Sequence, residues 1–181
     1  MDNKNRVKSE QKIQQQQWKP NLKDIILWSF FGILFVGQVV LCFMFYNGAN
    51  LDFLLYLGWA TFAFSMIIEM FARTAFQEKG KAPKGKGWIQ TSVVVESGVY
   101  AIVRHPMYLS FILFFLSLIL ISQHWLSLIF AIPITVYFYL SMVQEEQSSI
   151  IKFGDAYRNY MQRVPRINFV LGIIRLLRKP V

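Results

Sequence analysis

Two apolar runs near the start of the chain are each long enough to cross a lipid bilayer as a helix. They extend from Ile25 to Tyr46 and from Leu51 to Phe71, and neither contains lysine or arginine. A helix needs about 20 apolar residues to span roughly 30 Å of hydrocarbon. The chain of 181 residues is 55% hydrophobic and 17% aromatic, more apolar than an ordinary soluble domain. The sequence therefore predicts an integral membrane protein.

A third apolar tract, from Met107 to Val143, is too long for a single crossing and is interrupted by the polar residues 122–124. This pattern predicts a helical hairpin with arms from Met107 to Ile121 and from Trp125 to Val143. The first arm is somewhat shorter than a full crossing requires. We expect four transmembrane helices, or five if the stretch from Phe169 to Leu177 is a span rather than an interfacial helix.

The basic residues predict the orientation of these helices. Every lysine and arginine lies before Ile25, between Phe71 and Met107, or after Val143. Four spans place all three of these segments on one side, which the positive-inside rule identifies as the cytoplasm. We therefore interpret the net charge of +9 as a topology signal that attracts membrane lipids, and we expect no nucleic acid as a partner.

Composition divides the chain into four segments. We predict a polar N-terminal arm over 1–23, two transmembrane helices over 24–72, a basic cytoplasmic loop over 73–92, and a catalytic region over 93–181. The last region contains the hairpin and a cytoplasmic cap built from Val93–Val103 and from Glu145 onward. Within the cap, Phe153, Tyr157 and Tyr160 have a spacing that suits one face of a helix, with Gly154 as a candidate break. The single cysteine, Cys42, lies in the first span, so no metal site is predicted.

Two charged pairs at the ends of the predicted hairpin are electrostatically misplaced. Arg104 and His105 precede Pro106, which is favoured in the first turn of a helix, so they stand at the positive end of the helix dipole. Glu145 and Glu146 follow the second arm, where carboxylates are disfavoured. Because the arms are antiparallel, the hairpin brings the two pairs together. They could form an ion-paired seam or a partly desolvated site pocket, and spacing alone leaves both interpretations open.

Five short blocks in the second half of the chain occur in a characteristic order. They are Ser97-Gly98-Val99-Tyr100, Arg104-His105-Pro106-Met107-Tyr108, Glu145-Glu146, Phe153-Gly154-Asp155-Ala156-Tyr157 and Arg163-Val164-Pro165-Arg166. In this order and spacing they resemble the isoprenylcysteine carboxyl methyltransferase family and the wider phospholipid methyltransferase group, and the resemblance covers roughly Val93 to Asn168.

This resemblance implies an all-α membrane methyltransferase whose cofactor, S-adenosylmethionine, enters from the cytosol above the hairpin. Carboxylates suit the cofactor's ammonium and ribose groups, and a glycine lets it approach the backbone closely. The lipophilic methyl acceptor would enter from the bilayer. We expect the cofactor to contact Gly98, Tyr100, His105, Pro106, Tyr108, Glu145 and Glu146.

We predict O-methylation of a carboxylate on a lipidated, isoprenylcysteine-like acceptor. Arg104 and Arg163 are the predicted catalytic residues, because bidentate hydrogen bonds from arginine can orient a carboxylate. Tyr157 and Tyr160 are predicted to line the acceptor site. The alternatives are an N-methyltransferase acting on a phospholipid or small amine, an NADPH-dependent membrane reductase, and a non-enzymatic lipid-binding protein.

Overall fold

The computed structural model of the protein describes residues 22–81 and 91–178. These residues form α-helices and one 3-10 turn, and no strand occurs among them, so the predicted all-α class is confirmed. Residues up to Ile33 belong to one compact unit and those from Leu34 onward to another. Most of the predicted polar arm, and residues 82–90 of the predicted basic loop, lie outside the described ranges.

The helices are α1 Leu22–Met44, α2 Asp52–Lys79, α3 Pro106–Ser122, α4 Trp125–Phe153, α5 Asp155–Arg163 and α6 Phe169–Leu177, and the 3-10 turn is Gly98–Ala101.

Among the described residues, α1, α2 and α4 are long and apolar enough to cross a membrane. Many of their large apolar side chains are exposed, as lipid-facing helices require. The chain is therefore a multi-pass membrane protein. Helix α3 has 17 residues, or about 26 Å, slightly less than the hydrocarbon thickness. Helix α6 has nine residues, about 14 Å, and is too short to be a fifth span.

The two short connectors between helices lie at the same end of the structure. The side chain of Gln123 donates to the carbonyl of Leu51 at 2.9 Å and accepts from its backbone N–H at 3.0 Å. The N–H of Asn47 donates to the carbonyl of Ile121 at 2.9 Å. The segments that carry the charged motifs therefore lie together at the opposite end, as the hairpin prediction requires.

Helices α2 and α3 pack closely along their length. At one end, a Cβ added to Gly58 would lie 2.8 Å from a side-chain carbon of Ile121 and 3.0 Å from its backbone nitrogen. Towards the other end, the Ser110 hydroxyl donates to the Glu69 carboxylate at 2.5 Å, and the same carboxylate pairs with Arg73 at 2.5 Å. A small residue and a polar contact thus hold these two helices together, as is common in membranes.

Two of the predicted helix ends are wrong. Helix α2 continues past Phe71 to Lys79, and α4 continues past Val143 to Phe153. Polar residues follow the apolar tracts without a glycine or proline, so the helical backbone bonding persists to Gly80 after α2 and to Gly154, whose φ is +58°, after α4. Glu145 and Glu146 consequently lie inside α4 and not at its C-terminus. Gly154 does break the helix between Phe153 and α5, so Phe153 does not share a helix face with Tyr157 and Tyr160.

The C-terminal helix α6 holds the 3-10 turn in place. The Arg175 guanidinium donates to the carbonyls of Ala101 and Arg163. A Cβ added to Gly172 would collide with the carbonyl oxygen of Ile102, so this glycine permits direct helix-to-backbone contact. The turn that follows the basic loop is thereby fixed to the end of α5.

We expect the Gly58→Val variant to lose stability, because its new side chain must displace Ile121 from a close-packed helix interface. Overpacking of this kind costs about 1–3 kcal/mol. Ala60→Val is the matched control, since Ala60 is an exposed residue of the same helix. Thermal midpoints of the purified proteins in detergent measure the difference. Equal midpoints for the two variants would contradict the packing described here.

Candidate active site

The site is assembled where the segment before α3 meets the segment after α5. The N–H of Arg104 donates to the carbonyl of Pro165 at 2.9 Å, and the N–H of His105 donates to that of Arg166 at 3.1 Å. These two backbone bonds place the side chains of Arg104, His105 and Arg166 beside the last third of α4.

Glu146 of α4 is the common partner of these side chains and is only 2% exposed. Its Oε1 lies 3.1 Å from Arg104 Nη1 and 3.1 Å from His105 Nε2. Arg166 donates to both oxygens, through Nε at 3.0 Å and Nη2 at 2.6 Å, and these bonds raise the pKa of the Arg166 guanidinium. The predicted meeting of Arg104 and His105 with the Glu145-Glu146 pair is confirmed for Glu146.

Arg104 is buried but incompletely paired. Its side chain is 9% exposed, and its Nε and Nη1 atoms have no hydrogen-bond partner within the described part of the chain. The 3.1 Å contact from Nη1 to Glu146 is an ion pair whose angles do not satisfy a hydrogen bond. Because a buried guanidinium with unused donors is costly, Arg104 is suited to bind an anion.

Two cavities meet at Arg104. The first, which we call the aromatic lobe, has a volume of ≈ 350 Å³ and extends between α3 and α4. The second, the polar lobe, has a volume of ≈ 290 Å³ and extends towards α5. Five residues line both lobes: Phe76, Tyr100, Arg104, His105 and Glu145.

The polar lobe is bordered by neutral hydroxyl groups. Tyr160 donates to the carbonyl of Tyr100 at 2.7 Å, and burial raises the pKa of both phenols. Burial likewise raises the pKa of Tyr157 to about 12. All three phenols are therefore protonated at physiological pH and act as hydrogen-bonding groups. Ser148 and Ser149 of α4 add further hydroxyls to this lobe.

The structure brings most of the predicted site residues together. The aromatic lobe is lined by Pro106 and Tyr108, and the polar lobe by Tyr157 and Tyr160. With Tyr100, Arg104, His105 and Glu145 at the junction, eight of the predicted residues border the two lobes.

Three predicted residues lie outside both lobes. Glu146 is buried behind Arg104 and His105. Arg163 is half-exposed and pairs with Glu96 at 2.8 Å. Gly98 borders a separate groove beside α2, and its φ of +66° gives a conformational reason for glycine there.

Several residues of the site were missed by sequence reasoning. Arg166 was visible in the Arg163-Val164-Pro165-Arg166 block, but nothing in the block distinguishes it from Arg163. Ser148 and Ser149 follow Glu145 by one helical turn, a spacing that places them on the same face. Phe111 and Phe138 of the aromatic lobe belong to apolar tracts where aromatic residues are interpreted as lipid contacts.

Comparison with known proteins agrees with this architecture. The phospholipid methyltransferase family matches residues 53–155, which is more than half of the chain. The protein therefore belongs to the phospholipid methyltransferase family, and the predicted resemblance is confirmed. No solved structure matches the chain.

Three relatives show how the similarity is distributed. Methanethiol S-methyltransferase 1 of Bradyrhizobium diazoefficiens is 42% identical over 67 residues, or 36% of this chain and 22% of the relative. Protein-S-isoprenylcysteine O-methyltransferase of Schizosaccharomyces pombe is 32% identical over 74 residues, or 40% and 31% of the two chains. Methanethiol S-methyltransferase of Crocosphaera subtropica is 29% identical over 166 residues, covering 86% of this chain. The chain spans only 55% of that relative's length.

Replacing Glu146 by glutamine is expected to destabilise the protein strongly, because it leaves Arg104 and Arg166 as uncompensated buried or half-buried cations. Removing one partner of a buried ion pair costs about 3–5 kcal/mol. Glu96→Gln breaks the exposed pair with Arg163 and should cost about 1 kcal/mol or less. The comparison requires thermal midpoints of both variants in one detergent, and similar midpoints would contradict a central role for Glu146.

Proposed function

We propose that the protein transfers a methyl group from S-adenosylmethionine to an anionic nucleophile on an apolar acceptor. The observation that carries this proposal is the buried, incompletely paired Arg104 at the junction of a polar and an aromatic lobe. A methyl donor and an acceptor must meet with their reacting atoms in line and without water between them. Two lobes that share a single junction support the proposal, because a donor in one lobe and an acceptor in the other would meet there.

The polar lobe fits the chemistry of the cofactor. Its Glu145 carboxylate can accept hydrogen bonds from the cofactor's ammonium group or ribose hydroxyls, and Ser148, Ser149 and Tyr157 can bond its remaining polar atoms. When bound, S-adenosylmethionine supplies an electrophilic methyl group whose bond electrons stay on the departing sulfur. The chain's own contribution is to orient the two molecules and to exclude water.

Arg104 would hold the acceptor's negative charge. A guanidinium stabilises a thiolate and lowers the pKa of the thiol, and it can equally bind a carboxylate. Because Arg163 is paired with Glu96 outside the lobes, a two-arginine clamp on a carboxylate is not preformed. A single guanidinium suits a thiolate, and methanethiol S-methyltransferases are among the relatives. We therefore propose a thiol as the first candidate acceptor.

The carboxylate of an isoprenylcysteine-like acceptor is the second candidate. The Nε and Nη2 groups of an arginine lie on one side of the guanidinium and can bind both oxygens of one carboxylate, and Arg104 Nε lacks a partner in the described structure. One relative is a protein-S-isoprenylcysteine O-methyltransferase. For a thiol acceptor the aromatic lobe, between two apolar helices, would receive the alkyl group from the bilayer.

Isothermal titration with S-adenosylhomocysteine tests the cofactor site. We expect saturable binding by the wild-type protein and a loss of roughly tenfold to a hundredfold for Glu145→Ala, the range for losing a charged hydrogen bond. Asp155→Ala is the control, because Asp155 is an exposed carboxylate paired with Arg158 away from the lobes. Absence of binding, or saturable binding of NADPH instead, would refute the proposed activity.

Isotope-labelled S-adenosylmethionine then identifies the acceptor. Methanethiol, a farnesylated cysteine and phosphatidylethanolamine yield a thioether, a methyl ester and a methylated amine respectively. Labelled dimethyl sulfide as the main product supports the first candidate, and the methyl ester supports the second. Arg104→Gln should reduce either product, whereas a methylated amine would contradict an anionic nucleophile.

We further propose that the site faces the cytoplasm, as the distribution of basic residues indicates. A reporter fused after Val181 should then be cytoplasmic. The reference is a second reporter inserted between Gly48 and Ala49, in a connector at the opposite end, which should lie on the other side. Finding the first reporter outside the cytoplasm would reverse the orientation.

A further inference from the structure

Two stacked rings lie at the end of the aromatic lobe away from Arg104. Phe111 of α3 and Phe138 of α4 have ring centroids 5.3 Å apart and an interplanar angle of 14°. Both residues line the lobe. A facing ring pair of this kind occupies the space between the two helices.

The positions of these residues along their helices show that they lie at the far end. Phe111 is five residues beyond Pro106, about 7.5 Å along α3, and Phe138 is seven residues before Glu145, about 10.5 Å along α4. No lining residue of the lobe lies beyond Phe111 on α3. On α4 only the adjacent Tyr137 does so.

The ring pair is supported from behind by close packing. Phe138 also contacts Phe115, with centroids 6.2 Å apart, and Phe115 is 2% exposed. Phe115 packs in turn against Phe114 and Phe35 at 5.5 Å and 5.7 Å. Because a close-packed interior yields little, Phe138 cannot move towards Phe115 for a longer ligand without disrupting the aromatic cluster.

We propose that the Phe111–Phe138 pair determines the acceptor, limiting it to molecules with an apolar chain of only a few carbons. This inference rests on the proposed function for the identity of the lobe as the acceptor site. The lobe between Arg104 and the ring pair accommodates a short alkyl thiol. A prenyl chain would extend beyond it.

Calorimetric titration with unreactive methyl thioethers tests the limit without turnover. The probes are dimethyl, ethyl methyl, hexyl methyl and farnesyl methyl sulfide, added to protein in lipid nanodiscs with empty nanodiscs as the blank. We expect the wild type to bind the two short sulfides and to bind the hexyl compound at least tenfold more weakly than ethyl methyl sulfide. The Phe138→Ala variant should instead bind hexyl methyl sulfide more tightly than ethyl methyl sulfide. Its affinity should rise about fourfold for each additional methylene that enters the lobe.

Phe114→Ala is the matched control. It removes a ring from α3 and from the same aromatic cluster, but Phe114 does not line either lobe. We expect it to lower the thermal midpoint while retaining the wild-type preference for short chains. The inference is overturned if Phe114→Ala and Phe138→Ala change the preference equally, or if the wild type binds hexyl or farnesyl methyl sulfide as tightly as the short probes.

Titrating the sulfides with and without S-adenosylhomocysteine separates this inference from the proposed function. If S-adenosylhomocysteine does not bind but the short sulfides do, and Phe138→Ala admits the hexyl compound, the length limit stands and the proposed cofactor fails. If S-adenosylhomocysteine binds but no sulfide binds to the protein with or without it, the aromatic lobe is not the acceptor site.

Discussion

The buried carboxylate of Glu146 is the interaction on which the half of the described structure that carries the charged motifs depends. A carboxylate that is 2% exposed remains ionised only when ion pairs and hydrogen bonds compensate its lost hydration. Its partners, Arg104, His105 and Arg166, come from the segments before α3 and after α5. The beginning of α3, the last third of α4 and the chain beyond α5 must therefore adopt their positions together, and the two lobes form around this arrangement.

The pairing at Glu146 is uneven, and the unevenness is what makes a site. Arg166 engages both carboxylate oxygens and also donates to the hydroxyl of Tyr139 at 3.0 Å. Arg104 contacts one oxygen only, and its Nε and Nη1 have no hydrogen-bond partner within the described residues. Arg166 thus serves the fold, while Arg104 also borders both lobes. Spacing alone left an ion-paired seam and a site pocket as alternatives. The structure contains the seam, and our proposed site lies beside it.

The fold also explains how polar and apolar molecules could reach one point. Helix α4 has 29 residues, or about 44 Å, so it extends beyond the hydrocarbon core and carries Ser148 and Ser149 past Glu145. Towards the membrane the same helix contributes Phe138 to the aromatic lobe. One continuous helix therefore lines both lobes. Because it is longer than the hydrocarbon core is thick, one part of it faces lipid and another part extends into water.

The sequence by itself determined the membrane class, the hairpin and the charged motifs, because apolar length and charge distribution are local properties of the chain. It did not determine where α4 ends, since residues after Val143 are compatible with both helix and cap until Gly154 breaks the backbone pattern. Nor did it distinguish Arg163 from Arg166, three residues apart in one block. That choice depends on which side chain is directed inward when Pro165 and Arg166 bond to the backbone before α3. Likewise, only the register of α3 against α4 stacks Phe111 on Phe138, and that register is a property of tertiary packing.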